Sequence, residues 1–175
     1  MKLTRLFLSL ATVSLALHAQ APAQAPPSRL LCLFFDLNSL DAAAQSTARD
    51  NAIKFVQEQT APSDRIAIMT YASRLNVLQD FTADHDMILA TLRTMMPISA
   101  AAGNSDTSAQ LQAIQAAASA LAPLPEKKAM IYFSSGEPKN GIDNQEDLRA
   151  TVNAAVRANV AIYSVDSRGP LPALR

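Results

Sequence analysis

The sequence predicts an α/β fold: a three-layer, open, mostly parallel sheet with helices on both faces. Three observations carry that prediction. Short continuous apolar runs recur at residues 30–35, 65–71, 128–133 and 160–165, the pattern of strands covered on both sides. Stretches with apolar residues at helical spacing lie between them. Apolar residues make up 49% of the 175 and charged residues only 17%, enough to fill a core on each face of a sheet.

Residues 30–35 (LLCLFF) form the first strand, and 42–60 the first helix, with Ala48, Ala52, Ile53 and Val56 on one side and Arg49, Asp50, Lys54 and Glu58 on the other. Pro62-Ser63-Asp64 ends that helix. Residues 65–71 (RIAIMTY) and the shorter alternating run 75–81 (LNVLQDF) then make an antiparallel hairpin. A helix over 84–96 is expected to bury Met87, Ile88, Leu92, Met95 and Met96, and an Ala-rich helix over 107–121 to turn Leu111, Ile114 and Ala118 inward. The strand 128–133 (KAMIYF) follows, then a helix ending near Ala158 with Asp143 as its cap ahead of Glu146. Residues 160–165 (VAIYSV) are the last strand. No internal repeat appears.

Composition narrows the function classes. Fifteen basic residues balance fifteen acidic ones, so nothing supplies the concentrated positive field that nucleic-acid binding needs. One cysteine rules out a disulfide framework and a Cys-based zinc site, and Cys32, inside the first apolar run, is expected to be a buried inert thiol. Residues 1–21 have the layout of a secretory signal peptide: Lys2 and Arg5, a 12-residue apolar stretch over 6–17, then Ala19-Gln20-Ala21. As a helix that stretch would span roughly 18 Å, short of a hydrocarbon core of about 30 Å, so no stable membrane insertion is expected after cleavage. Residues 22–28 read as a flexible leader and 29–175 as one domain. Export would place it in the periplasm, at the cell surface or in the medium.

In an open α/β sheet, ligands bind beyond the carboxyl ends of the strands. There the chain places Asp36-Leu37-Asn38-Ser39-Leu40, Thr70-Tyr71-Ala72-Ser73, Ser134-Ser135-Gly136-Glu137 and Asp166-Ser167-Arg168-Gly169. Together they make an oxygen-rich crater suited to a hard cation or to hydrogen bonding. No Gly-rich phosphate loop is present. His85, between Asp84 and Asp86, is expected to be solvated, and Asp64-Arg65 to serve the turn into the second strand. One mature histidine so placed builds no Ser–His–Asp set.

The first strand with its Asp-x-Asn ending, SDRIAIMTY, LQDFTADHDMILATL, KKAMIYFSSGEP and RANVAIYSVDSRG, in that order, resemble a von Willebrand factor type A (VWA) domain. The similarity is greatest to an exported VWFA-related family common in acidobacteria, and it covers residues 30–169. It implies adhesion or complex assembly without chemical turnover. It also implies a metal-ion-dependent adhesion site: Asp-x-Ser-x-Ser in the first loop, a Thr from a second and an Asp after the fourth strand. These hold Mg²⁺, whose coordination a partner's carboxylate completes.

This chain departs from that pattern. Asp36 matches the first Asp, Asn38 stands at the first Ser, and Leu40 at the second, where it ligates nothing. Ser105 or Thr107 could supply the Thr position, and Ser135 stands at the second Asp with Glu137 two residues on. The candidate ligands for Mg²⁺ or Mn²⁺ are therefore Asp36, Asn38, Thr107 and Ser135. The candidate partner-binding residues, for a protein presenting an Asp or Glu carboxylate, are Asp36, Asn38, Ser105, Glu137 and Arg168. One carboxylate in place of two leaves a dication under-neutralised. The degenerate alternative is a crater held by hydrogen bonds, with Asp36 accepting from Ser135 and nearby backbone N–H groups. Two further alternatives are a metal-independent scaffolding domain and a haloacid-dehalogenase-like phosphatase with Asp36 as nucleophile, which would lack its acid because Asn38 cannot deliver a proton. VWA domains usually continue past this last strand, so the domain is expected to lack its final helix and strand and to be marginally stable or oligomeric.

Overall fold

The computed structural model describes residues 28–98, 107–135 and 144–167. The elements run β1 (Leu30–Asp36), α1 (Ala42–Gln59), β2 (Arg65–Tyr71), β3 (Leu75–Thr82), α2 (His85–Thr94), α3 (Thr107–Leu121), β4 (Lys128–Ser134), α4 (Gln145–Arg157) and β5 (Val160–Asp166). They build one five-stranded sheet in the order β3-β2-β1-β4-β5. β1 is central and parallel to β2 and β4, β5 is parallel to β4, and only β3 is antiparallel. This is the mostly parallel α/β sheet expected. Its closing helix and strand, α4 and β5, are both present as expected; the further pair expected to be missing would follow residue 169, outside the described residues. The residues expected to form a signal peptide and leader, up to 27, the expected cap Asp143 and the residues after Ser167 lie outside the described residues.

The continuous apolar runs are explained by a core on each face. All seven residues of β1 are buried, and their pleat sends alternate side chains to opposite sides. Leu31, Leu33 and Phe35 join Ala52, Phe55, Ile88 and Leu92 of α1 and α2. Cys32 and Phe34 join Ala113, Ala117, Tyr132 and Ala154 on the α3 and α4 side. Asp41 caps α1 by accepting from the Ala44 N–H at 2.7 Å, and Asp84 caps α2 from Met87 at 3.0 Å. Asn144 is the N-cap of α4 without a side-chain capping bond, its Oδ1 instead accepting from the Ser108 hydroxyl at 3.0 Å, while Glu146 and Asp147 in the first turn and Arg157 in the last suit the helix dipole. Asn159, at φ 52°, makes the tight turn from α4 into β5.

Two expectations for side chains are corrected. α2 stops at Thr94, and Met87 and Met96 are exposed, at 47% and 77%. Pro97 disfavours helix in the residue before it. The buried Gln45 amide also holds the following segment extended, accepting from the Ile98 N–H at 2.9 Å and donating to its carbonyl at 3.1 Å. His85 is not free in solvent: its Nε2 lies 3.1 Å from the Asp64 carbonyl.

That carbonyl belongs to a clasp at the amino edge of the sheet. Asp64, 1% exposed, accepts from Arg29 Nη2 at 2.5 Å, from Arg29 Nε at 3.0 Å and from the Ala61 N–H at 2.7 Å. Burial pushes its carboxyl up, but the Arg29 bonds and charge and the backbone donors outweigh this and hold it below the ordinary value. On the same edge the buried Lys128 ammonium donates to the carbonyls of Leu124 (2.5 Å) and Glu126 (2.7 Å).

Candidate functional site

The parallel order puts the carboxyl ends of β1, β2, β4 and β5 along one edge, with Asp36 closing the central strand. Asp36 is 1% exposed. Its Oδ2 accepts from the Tyr132 hydroxyl at 2.9 Å and its Oδ1 from the Asn38 N–H at 3.2 Å. Ser39 donates to the Asp36 carbonyl from its N–H (3.2 Å) and its hydroxyl (3.0 Å). The Ser135 N–H in turn reaches the Ser39 Oγ at 3.4 Å. These bonds tie the first loop to the end of β4.

The electrostatics follow from that burial. Loss of solvent raises the Asp36 carboxyl above its ordinary value, and the bonds from Tyr132, Ser39 and Asn38 only partly offset it. The Tyr132 phenol is raised further, first by burial and then by the Asp36 charge and hydrogen bond, with Ser134 acting the other way. A buried carboxyl is thus held by neutral donors alone among its described partners.

The sequence candidates separate accordingly. Asp36 is the hub. Asn38 helps through its backbone N–H, while its side-chain amide donates to the Ala72 carbonyl and staples the first loop to the second. The described bonds of Asp36 run to residues 38, 39 and 132 rather than to the Ser135 hydroxyl. Thr107 opens α3 and is half-buried. Leu40 is fully buried in the core beside α1, where a Ser would leave a void. Ser105, Glu137 and Arg168 lie outside the described residues. Tyr132, Ser39 and Ser167, whose buried hydroxyl donates to the Ser134 carbonyl at 3.2 Å, were not singled out. Tyr132 reads as one more residue of an apolar strand, and only the Asp36 register two strand positions beyond its neighbour hints at its role.

The described donors do not suit Mg²⁺. Both Asp36 oxygens are engaged, Leu40 offers no oxygen, and no three His, Cys, Asp or Glu side chains gather among the described residues to hold a metal ion. Beside the crater opens a cleft of about 600 Å³, lined among others by Leu37, Arg49, Thr70, Ala72, Leu78 and Met96. No helix among the described residues is long and apolar enough to cross a membrane.

Comparison with known proteins agrees with this architecture. Residues 38–139 match the model of the von Willebrand factor type A domain family. Among solved structures, the chain is similar to an aerotolerance-related membrane protein from Bacteroides fragilis NCTC 9343 (15% identity, TM-score 0.55, 78% of this chain and 66% of that one). It is also similar to BatB from Bacteroides thetaiotaomicron (19% identity, TM-score 0.56, 78% and 65%). A third likeness is to proximal thread matrix protein 1 of the mussel byssus (13% identity, TM-score 0.54, 78% and 37%). The aligned region spans just under two thirds of the two Bacteroides chains. No curated protein matches the chain.

Proposed function

The chain belongs to the von Willebrand factor type A domain family, and from that premise we propose that it is an exported protein-interaction module whose partner docks on the carboxyl edge of the sheet without a bridging metal. The adhesion site of the family is degenerate here. The observation that carries this is Asp36: buried, bonded through both oxygens to neutral groups, and with Leu40 in the core where a ligating hydroxyl would stand. Asp36 shapes the rim, fixing the loop 37–39 against Ala72 and Ser135, and the partner meets that rim and the cleft beside it. Export is supported by the basic, apolar and small-residue order of residues 2–21.

A phosphatase role for Asp36 finds no support in this geometry. A nucleophilic carboxylate must reach its substrate, and this one is sealed behind Tyr132 and its own loop.

The test is site-directed photo-crosslinking in the expressing cell, with the photoreactive residue at Ser135 on the carboxyl edge or at Ser63 on the amino edge. A discrete adduct from position 135, absent from position 63 and unchanged by EDTA, is the expected result. Equal adducts from both edges would overturn the docking face. Loss of the adduct in EDTA would restore a metal-bridged mode.

A further inference from the structure

The two outer strands of the sheet are built differently. β3 is blunted as an edge: its pairing to β2 shifts register twice, and it carries the exposed Asp80. Bulges and charges of this kind keep other chains from adding to a sheet. β5 has neither device. Its pairing with β4 is unbroken over seven residues, and VAIYSV carries no charge before Asp166. Among the described residues no strand pairs with its outer side. Beside it α4 exposes Val152 (51%) and Val156 (73%). A groove of about 340 Å³ runs between helix and strand, lined by Leu111, Val152, Ala155, Val156 and Ile162.

We propose that this edge pairs with a second copy of the chain: β5 joins β5 of its partner antiparallel about a two-fold axis at Tyr163, making one continuous sheet with the two α4 helices side by side. Four features favour a second copy over another occupant. Pairing centred on Tyr163 sets Ile162 opposite Ser164, so groove-facing residues meet groove-facing residues and no side chain changes face. It also sets the half-exposed Tyr163 rings against each other, a favourable cross-strand pair.

The helix and strand are commensurate about the same axis. From Asn159, Tyr163 lies four residues up the strand, about 13 Å, and Thr151 eight residues back along α4, about 12 Å. The axis through Tyr163 therefore passes Thr151 and Val152, and brings the exposed valines of the two helices together. Finally, loss of Lys2 and Arg5 with residues 1–21 leaves a formal net charge of only −2, which barely opposes such an approach.

Sedimentation velocity on the exported protein, purified from expression of the full chain, tests this. A dimer is expected on the order of 100 µM or below, and Val152→Lys/Val156→Lys is expected to give a monomer with an unchanged circular dichroism spectrum, since both side chains are exposed. A monomer throughout that range overturns the proposal. A dimer indifferent to the lysines overturns it as well.

Discussion

Asp36 and Asp64 sit at opposite edges of one sheet and are equally buried, each 1% exposed, yet the protein treats their charge in opposite ways. Asp64 has Arg29 in forked contact and backbone donors besides, and its carboxyl is held below the ordinary range. Asp36 has a phenol, a backbone N–H and a serine, and its carboxyl is held above. Residue type and solvent exposure are the same, but Asp36 lies deeper among protein atoms, so the difference lies in the partner and in the heavier loss of solvation. A guanidinium makes a buried carboxylate a clasp, whereas neutral donors leave a carboxyl that burial still pushes toward its protonated form. The amino edge is therefore built for stability, and the carboxyl edge keeps a loop in shape.

The largest effect should come from breaking the clasp. Arg29→Ala leaves Asp64 buried beside backbone donors only and is expected to cost about 2 kcal/mol, between a surface and a buried ion pair because Arg29 is partly exposed. Urea denaturation at neutral pH measures it. At the other edge Tyr132→Phe removes the hydroxyl from Asp36 and should cost about 1.5 kcal/mol, while raising the Asp36 carboxyl further.

The pH dependence separates the edges by sign. A lowered carboxyl such as Asp64 contributes stability that is full above the unfolded value of about 3.9 and is lost as pH falls through its folded value. A raised one such as Asp36 contributes stability that is full below that unfolded value and is lost as pH rises through its folded value. In thermal melts across acid to neutral pH, the penalty of Arg29→Ala should shrink in acid. Asp36→Asn, compared with wild type, should fare better at neutral pH than in acid. Parallel curves for the two variants would erase the contrast. The smallest effect concerns Cys32 on β1 between the two edges: fully buried, with its thiol pushed up to about 12, it should stay unlabelled by a thiol reagent in native protein and react only as the sheet opens.

Much of the fold was legible because strands sealed on both faces leave unbroken apolar runs. β2 and α3 fall on their expected residues, and β1, β4 and β5 each gain only the polar residue that ends them. What escaped was non-local. The Arg29–Asp64 clasp joins residues 35 apart in sequence, and nothing in Asp64-Arg65 distinguishes a turn residue from a buried one. The Met-rich end of α2 looked like a core stripe, but Gln45 draws that segment away. At the site, Asp36 was evident from its place after a strand. Tyr132 was hidden because a buried tyrosine and a hydrogen-bond donor look alike in KAMIYF.

The most direct measurement is a carbon-13 NMR titration of the Asp36 and Asp64 carboxyls, repeated with Mg²⁺ present. Asp36 should titrate above the ordinary carboxyl value and Asp64 below it, and Mg²⁺ should move neither. An Asp36 carboxyl that titrates at or below the ordinary value, or falls when Mg²⁺ is added, would contradict a carboxyl edge held by neutral donors.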